Sequence, residues 1–178
     1  MSSTSPTRRW TIFLTVAMVV LEADLLSKEM VLRGHWSGPV IPGLLDITHV
    51  SNPGAAFGLF PGARILFIVI KSLAAAVILT LVARGRLGRR GLLTVPLAMI
   101  MGGALGNLVD RFRGTGEVID FIDFSFRGQH WYIFNVADAC ISVGAVLVGL
   151  YLLFGERGRG DAEPLDEIEA EPAREPAE

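Results

Sequence analysis

The chain has 178 residues, of which 51% are hydrophobic and only 19% charged, and its mean hydropathy is +0.49. The apolar residues come in long blocks rather than at amphipathic spacing, which excludes an ordinary water-soluble domain and predicts a membrane protein. The net charge of −2 conceals an asymmetry, because the tail 155–178 holds nine of the eighteen acids and three of the sixteen basic residues, leaving the rest of the chain positive.

Residues 1–9 are polar and basic and read as a cytoplasmic N-terminus, followed over 10–26 by an apolar run broken only by Glu22 and Asp24. A secretory signal peptide begins the same way, with Arg8 and Arg9 as its positive region. Here no convincing small-x-small cleavage site follows Leu21 and three further apolar blocks come later, so the run reads as a first membrane helix. Asp24 and Lys28 stand four apart on one helical face and can pair near its end. An interfacial ion pair and a functional pair are equally good readings of those two residues alone. From 29 to 63, repeated glycines and prolines rule out a long helix. Within that stretch Leu45-Asp46-Ile47-Thr48-His49-Val50 alternates apolar and polar, the pattern of a half-buried strand, so a small external β-containing element is expected. The run Asn52-Pro53-Gly54-Ala55-Ala56-Phe57-Gly58 leaves backbone uncovered and reads, by itself, as a turn. His35 and His49 lack metal-ligand spacing and read as surface or strand residues.

The second span covers 65–83 between Arg64 and Arg84, and its nineteen residues rise roughly 28 Å, about one hydrocarbon thickness. Lys71 interrupts it; a lysine there either snorkels to the outer interface or faces a partner in the bundle, and snorkelling is the favoured expectation. Arg84, Arg86, Arg89 and Arg90 make a short basic loop, the kind retained in the cytoplasm. With Arg8 and Arg9 before the first span and Arg157 and Arg159 after the last, four spans with both termini cytoplasmic satisfy the positive-inside rule, leaving 29–63 and 111–130 outside. In the third span, 92–109, Gly102 and Gly106 permit close helix contact. Close packing does not account for Asn107 and Asp110, and Arg111 beside Asp110 suggests a structural clamp as one explanation. The fourth span starts near Asn135, which suits a helix cap, with Asp138 placed to return the bond as in a capping box. Asp138 and Ser142 extend the polar stripe further inward than a cap requires, while Trp131 and Tyr132 suit the outer interface. Cys140, the only cysteine, reads as a small core residue.

In this topology Asp24, Lys28, Asn52, Asn107, Asp110, Arg111, Asp120, Asn135 and Asp138 all fall at the outer end of the bundle. Carboxylates are costly in hydrocarbon and usually face a bundle interior or wet cavity. Two converging carboxylates share one proton, which leaves one acid and one base to drive water onto a carbonyl. No GxSxG elbow, HExxH pair or cysteine pair offers a rival nucleophile or metal.

At these residues the chain resembles the lipoprotein signal peptidases, the type II signal peptidases of bacterial inner membranes, which are membrane aspartic proteases. Asp24-Leu-Leu-Ser-Lys28 is similar to their first-helix Asp-x-x-x-Lys element, and the Asn52 to Gly58 run to their NxGAAFG segment. Gly106-Asn107-Leu-Val-Asp110-Arg111 resembles GNxxDR, Val118-Ile-Asp120-Phe121 the V-[VI]-D-F segment, and Phe134-Asn135-Val-Ala-Asp138-Ala139 the FNxAD motif. The resemblance runs from Trp10 to Phe154; Leu25 stands where glutamine is usual and the tail lies outside the pattern. It implies an α-helical membrane protein of four transmembrane helices with Asp120 and Asp138 as a catalytic dyad. It further implies that Asp24, Lys28, Asn52, Gly54, Asn107, Asp110, Arg111 and Asn135 bind substrate or support the site. The implied substrate is a diacylglyceryl-modified prolipoprotein cut before its lipid-bearing cysteine, with the site on the periplasmic side. The expected partners are that substrate and membrane lipid, with no nucleic acid, no metal and no other cofactor, and the chain is expected to act as a monomer.

Two other classes fit the bare residues. A metal-dependent lipid phosphatase or phosphotransferase would use Asp110, Asp120 and Asp138 as oxygen ligands, and a scaffold or small transporter would use the polar residues to bind helices or ions. The tail, rich in Glu, Pro and Ala, is expected to be disordered in the cytoplasm.

Overall fold

A computed structural model describes residues 5–54, 64–87, 91–127 and 129–155. Among these residues four helices and a four-stranded antiparallel sheet occur in the order α1 (Pro6–Leu32), β1 (Gly38–Ile41), β2 (Leu45–Asn52), α2 (Arg64–Ala83), α3 (Thr94–Phe112), β3 (Val118–Phe126), β4 (Gln129–His130), α4 (Val136–Phe154). Residues 55–58 of the glycine-rich run, Arg89, Arg90 and the tail 156–178 lie outside the described residues.

Among the described residues α1, α2 and α4 are long and apolar enough to cross a membrane. Leu14, Val19, Leu26, Ile65, Leu73, Val146 and Leu153 are exposed on these three helices, an apolar surface that water would not tolerate and hydrocarbon would. α3 has nineteen residues and is the helix the others enclose: it packs on α1, α2 and α4. Its glycines make that possible. A Cβ on Gly102 would meet the backbone oxygen of Ala17 and the Val20 side chain in α1, and one on Gly103 would meet the backbone oxygen of Ala137 in α4. Small residues at such contacts let backbones approach where lipid supplies no hydrophobic drive. At one end of the bundle Phe13, Ile78, Val82, Leu87, Leu97 and Met101 form an apolar core, while the polar residues gather at the other.

α1 runs six residues past the apolar run that predicts it, so the stretch 29–63 begins helical. Asp24, Ser27, Lys28 and Val31 are its buried residues there, a helical face that stays inward while turning polar. It ends where Gly34, at φ +71°, allows the left-handed turn, with Gly34 N–H donating to Val31 O and His35 N–H to Met30 O, a Schellman closure. Similarly, α3 continues through Arg111 and Phe112, two residues into the expected connection 111–130.

The strand expected at 45–50 is β2, Leu45–Asn52. Its partner β3 occupies the stretch read only as a connection. Register shifts between Ile47, opposite Ile122, and Val50, opposite Asp120, so β2 carries one extra residue there. That bulge reverses the alternation: Leu45, Ile47, Val50 and Asn52 share the sheet face of Asp120, and without it Ser51 would take the place of Asn52.

Candidate active site

The polar residues of three helices and the sheet meet in one network. Asp120, in β3, is 1% exposed. Its Oδ2 accepts a hydrogen bond from Asn52 Nδ2 at 2.8 Å and its Oδ1 one from Asn135 Nδ2 at 2.7 Å. Asn135 is the N-cap of α4, its Oδ1 accepting from Asp138 N–H at 2.9 Å. The reciprocal half of a capping box is not what Asp138 provides; its Oδ1 accepts from Asn107 Nδ2 at 2.8 Å. Asn107 Oδ1 in turn accepts from Asn135 Nδ2 at 3.1 Å. Asp138, Asn107, Asn135 and Asp120 are thus joined side chain to side chain, two acids at the ends and two amides between.

Behind this chain lies a buried charge cluster. Lys28 Nζ is 2.6 Å from Asp24 Oδ2, 2.7 Å from Asp110 Oδ2 and 3.2 Å from Asn107 Oδ1. Asp24 Oδ1 also accepts from Ala137 N–H at 2.9 Å, so the α1 pair holds the first turn of α4. A Cβ on Gly106 would collide with the Asp24 carboxylate, which explains a glycine directly before Asn107. The Asp110–Arg111 clamp does not form. Consecutive residues on a helix point about 100° apart, so Asp110 turns to Lys28 while Arg111 turns to the loop after β2. Arg111 donates from Nη1 to Pro53 O at 3.2 Å and Gly116 O at 3.1 Å, and from Nη2 to Gly54 O at 2.5 Å. Arg64 donates to the backbone oxygen of Arg111. Gly54 N–H completes a turn on Asn52 Oδ1 at 3.0 Å, leaving the Asn52 amide nitrogen for Asp120.

A cavity of about 280 Å³ opens on this network, lined by Asn52, Gly54, Asn107, Arg111, Asp120 and Asp138 together with Phe67, Lys71, Val118, Tyr132, Ile141 and Ser142. Six of the ten residues singled out from the sequence face it, and Asp24, Lys28, Asp110 and Asn135 support those that do. Lys71 does not belong to the outer interface as expected, because it shares a helical face with Phe67, one turn earlier, and both line the cavity. Tyr132 is also a cavity residue, its hydroxyl 3.4 Å from Asn52 Nδ2. Nothing in either residue's spacing signalled this. Asp123, three residues after Asp120, pairs instead with His130 at 3.0 Å.

Burial raises the Asp120 carboxyl to about 7; the nearby Asp138 charge pushes the same way, against the Asn52 and Asn135 hydrogen bonds. Burial likewise raises the Tyr132 hydroxyl, which stays protonated as a donor. At neutral pH the cavity therefore holds a carboxyl able to keep or give a proton beside a second carboxyl, the ingredients of acid–base chemistry on water.

The chain is also similar to known proteins. A sequence model of the Signal peptidase (SPase) II family matches residues 16–154. A lipoprotein signal peptidase of Desulforapulum autotrophicum is 41% identical over 149 residues, covering 79% of this chain and 91% of that one. One from Geobacter metallireducens is 40% identical over 153 residues, covering 84% and 93%. Among solved structures, a bacterial membrane enzyme determined by the in meso method at 2.3 Å resolution superimposes with a TM-score of 0.75 at 30% identity, covering 85% of this chain and 93% of that one. The helices, the sheet and these likenesses agree: the chain is a bacterial membrane protein that belongs to the signal peptidase II family.

Proposed function

We propose that the protein is an aspartic endopeptidase that removes the signal peptide of diacylglyceryl-modified prolipoproteins, cutting before the lipid-bearing cysteine. The observation that carries this reading is the amide-bridged pair Asp120 and Asp138 on one cavity. The pair shares one proton, held by the more deeply desolvated Asp120. Asp138 takes a proton from water as the water oxygen bonds to the scissile carbonyl carbon, and Asp120 gives its proton to the carbonyl oxygen. Collapse reforms the carbonyl and breaks the C–N bond; Asp138 protonates the leaving nitrogen and the hydroxyl proton returns to Asp120. Asn52 and Asn135 hold Asp120 in place, Asn107 holds Asp138, and Arg111 fixes the Gly54 turn at the cavity wall.

Arg8 and Arg9 in the first turn of α1 and Arg84 and Arg86 just after α2 lie at the end away from the cavity and sheet, which favours cytoplasmic termini and a site at the periplasmic surface. A substrate anchored by its diacylglyceryl group brings its scissile bond to that depth. Membrane lipid is then the medium of the reaction, and the protein acts as a monomer.

Two measurements test this. In reconstituted vesicles, a diacylglyceryl-modified prolipoprotein loses its signal peptide while the unmodified form does not, and EDTA leaves the rate unchanged. Loss of activity in EDTA, restored by a divalent ion, would count against the dyad. The second measurement is the pH profile. Because the Asp120 value is raised to about 7, the acid is loaded below that pH and lost above it, so kcat/KM falls as pH rises through about 7. A rate that stays level from about pH 6 to pH 9 would remove Asp120 from the role of acid.

A further inference from the structure

Among the described residues Lys71 and Arg111 line the cavity and Lys28 stands behind it, and Lys28 and Arg111 are committed to structure. Lys28 is held by Asp24 and Asp110, and the two Nη atoms of Arg111 are bound to backbone carbonyls. Lys71 differs: it lines the cavity beside both Asp120 and Asp138, yet no described residue forms an ion pair or hydrogen bond with its ammonium. The charges acting on it come from α4, α3, α1 and β3: Asp138 attracts it most, Arg111 and Lys28 repel it, and Asp120 attracts it. α2 rests on α3 and makes no extended contact with α4, so Lys71 looks across the cavity toward the acids. An unpaired ammonium inside a membrane bundle is costly, and it becomes favourable when negative charge develops within its reach.

Resting on the aspartic peptidase reading above, we propose that Lys71 is a further substrate-contacting residue, whose ammonium hydrogen-bonds the scissile carbonyl oxygen and stabilises the charge that collects there as water adds. Lys71 keeps its protons throughout; Asp120 supplies the one that neutralises the oxygen. A preorganised donor aimed at developing charge in a dry site acts on the transition state more than on the bound substrate.

The test uses the full chain in lipid vesicles with a diacylglyceryl-modified prolipoprotein, comparing wild type, Lys71→Met, Lys71→Arg and Asp138→Asn. Lys71→Met is expected to lower kcat about a hundredfold, with KM changed by less than about twofold, and Lys71→Arg to recover most of the loss. Removing a nearby cation raises the pH at which Asp120 ionises, so the falling limb of the profile also moves to higher pH in Lys71→Met, a shift that a purely structural lysine would not produce. If Asp138→Asn is inactive but Lys71→Met keeps the wild-type kcat and pH profile, or raises KM alone, the Lys71 assignment is wrong and the dyad stands. If Asp138→Asn cleaves normally, the peptidase reading fails and the Lys71 proposal with it.

Discussion

Asp138→Asn protein, folded and reconstituted in lipid, is expected to release signal peptide at least about a thousandfold more slowly than wild type, because the amide cannot take a proton from water. Asp120→Asn is expected to lose as much, since the amide has no acidic proton to give the carbonyl oxygen. The two substitutions differ in what they do to the fold. Asp138 receives its side-chain hydrogen bond at Oδ1 from Asn107, and asparagine can present the same oxygen, so this variant keeps the network. Asp120 receives one amide donor on each oxygen, from Asn52 and Asn135; asparagine must turn its own NH2 toward one of them. Setting donor against donor in a buried site costs about 1–3 kcal/mol, so Asp120→Asn is also expected to unfold at lower temperature. The double variant should be no slower than either single one, because two groups that pass one proton fail together. Turnover by folded Asp138→Asn within tenfold of wild type would end the dyad assignment.

What the sequence revealed and what it hid divide along a physical line. Spans α2 and α4 were legible because an apolar run must be about as long as the hydrocarbon is thick, and the glycines of α3 because close backbone contact leaves few alternatives to them. Spacing also put Asp24 and Lys28 on one face. It could not show which residue of another element each face would meet. Asp110 was read with its chain neighbour Arg111, whereas it pairs with Lys28 of α1, and Lys71 was read against the membrane, whereas it faces a cavity that exists only once α2, α4 and the sheet are assembled. The bulge in β2 belongs to the same class, for it is defined by its partner strand. α1 was cut short for a different reason: hydropathy falls at Ser27, Lys28 and Glu29, but the helix continues because Ser27 and Lys28 lie on its inward face, where Lys28 has buried partners to receive it.

That buried cluster is where the fold itself is most sensitive. Lys28 is 2% exposed, as one cation between Asp24 and Asp110. Lys28→Met fits the same volume but leaves two carboxylates facing each other without a counter-charge, and removing one partner of a buried ion pair costs about 3–5 kcal/mol. Asp110→Asn is expected to be milder, since the Asp24–Lys28 pair survives and the amide oxygen can still meet the ammonium. The triple replacement Asp24→Asn, Lys28→Met, Asp110→Asn should regain much of the stability lost in Lys28→Met, because no charge is then stranded. Thermal unfolding in lipid micelles orders the variants as wild type, Asp110→Asn, the triple, then Lys28→Met. The order for cleavage differs. Lys28 also donates to Asn107 Oδ1 at 3.2 Å, and Asn107 holds Asp138, so the triple variant refolds the bundle without restoring the orientation of the dyad. Recovery of cleavage together with stability in the triple variant would show that Lys28 serves the fold alone; recovery of stability without cleavage places it in the support of Asp138.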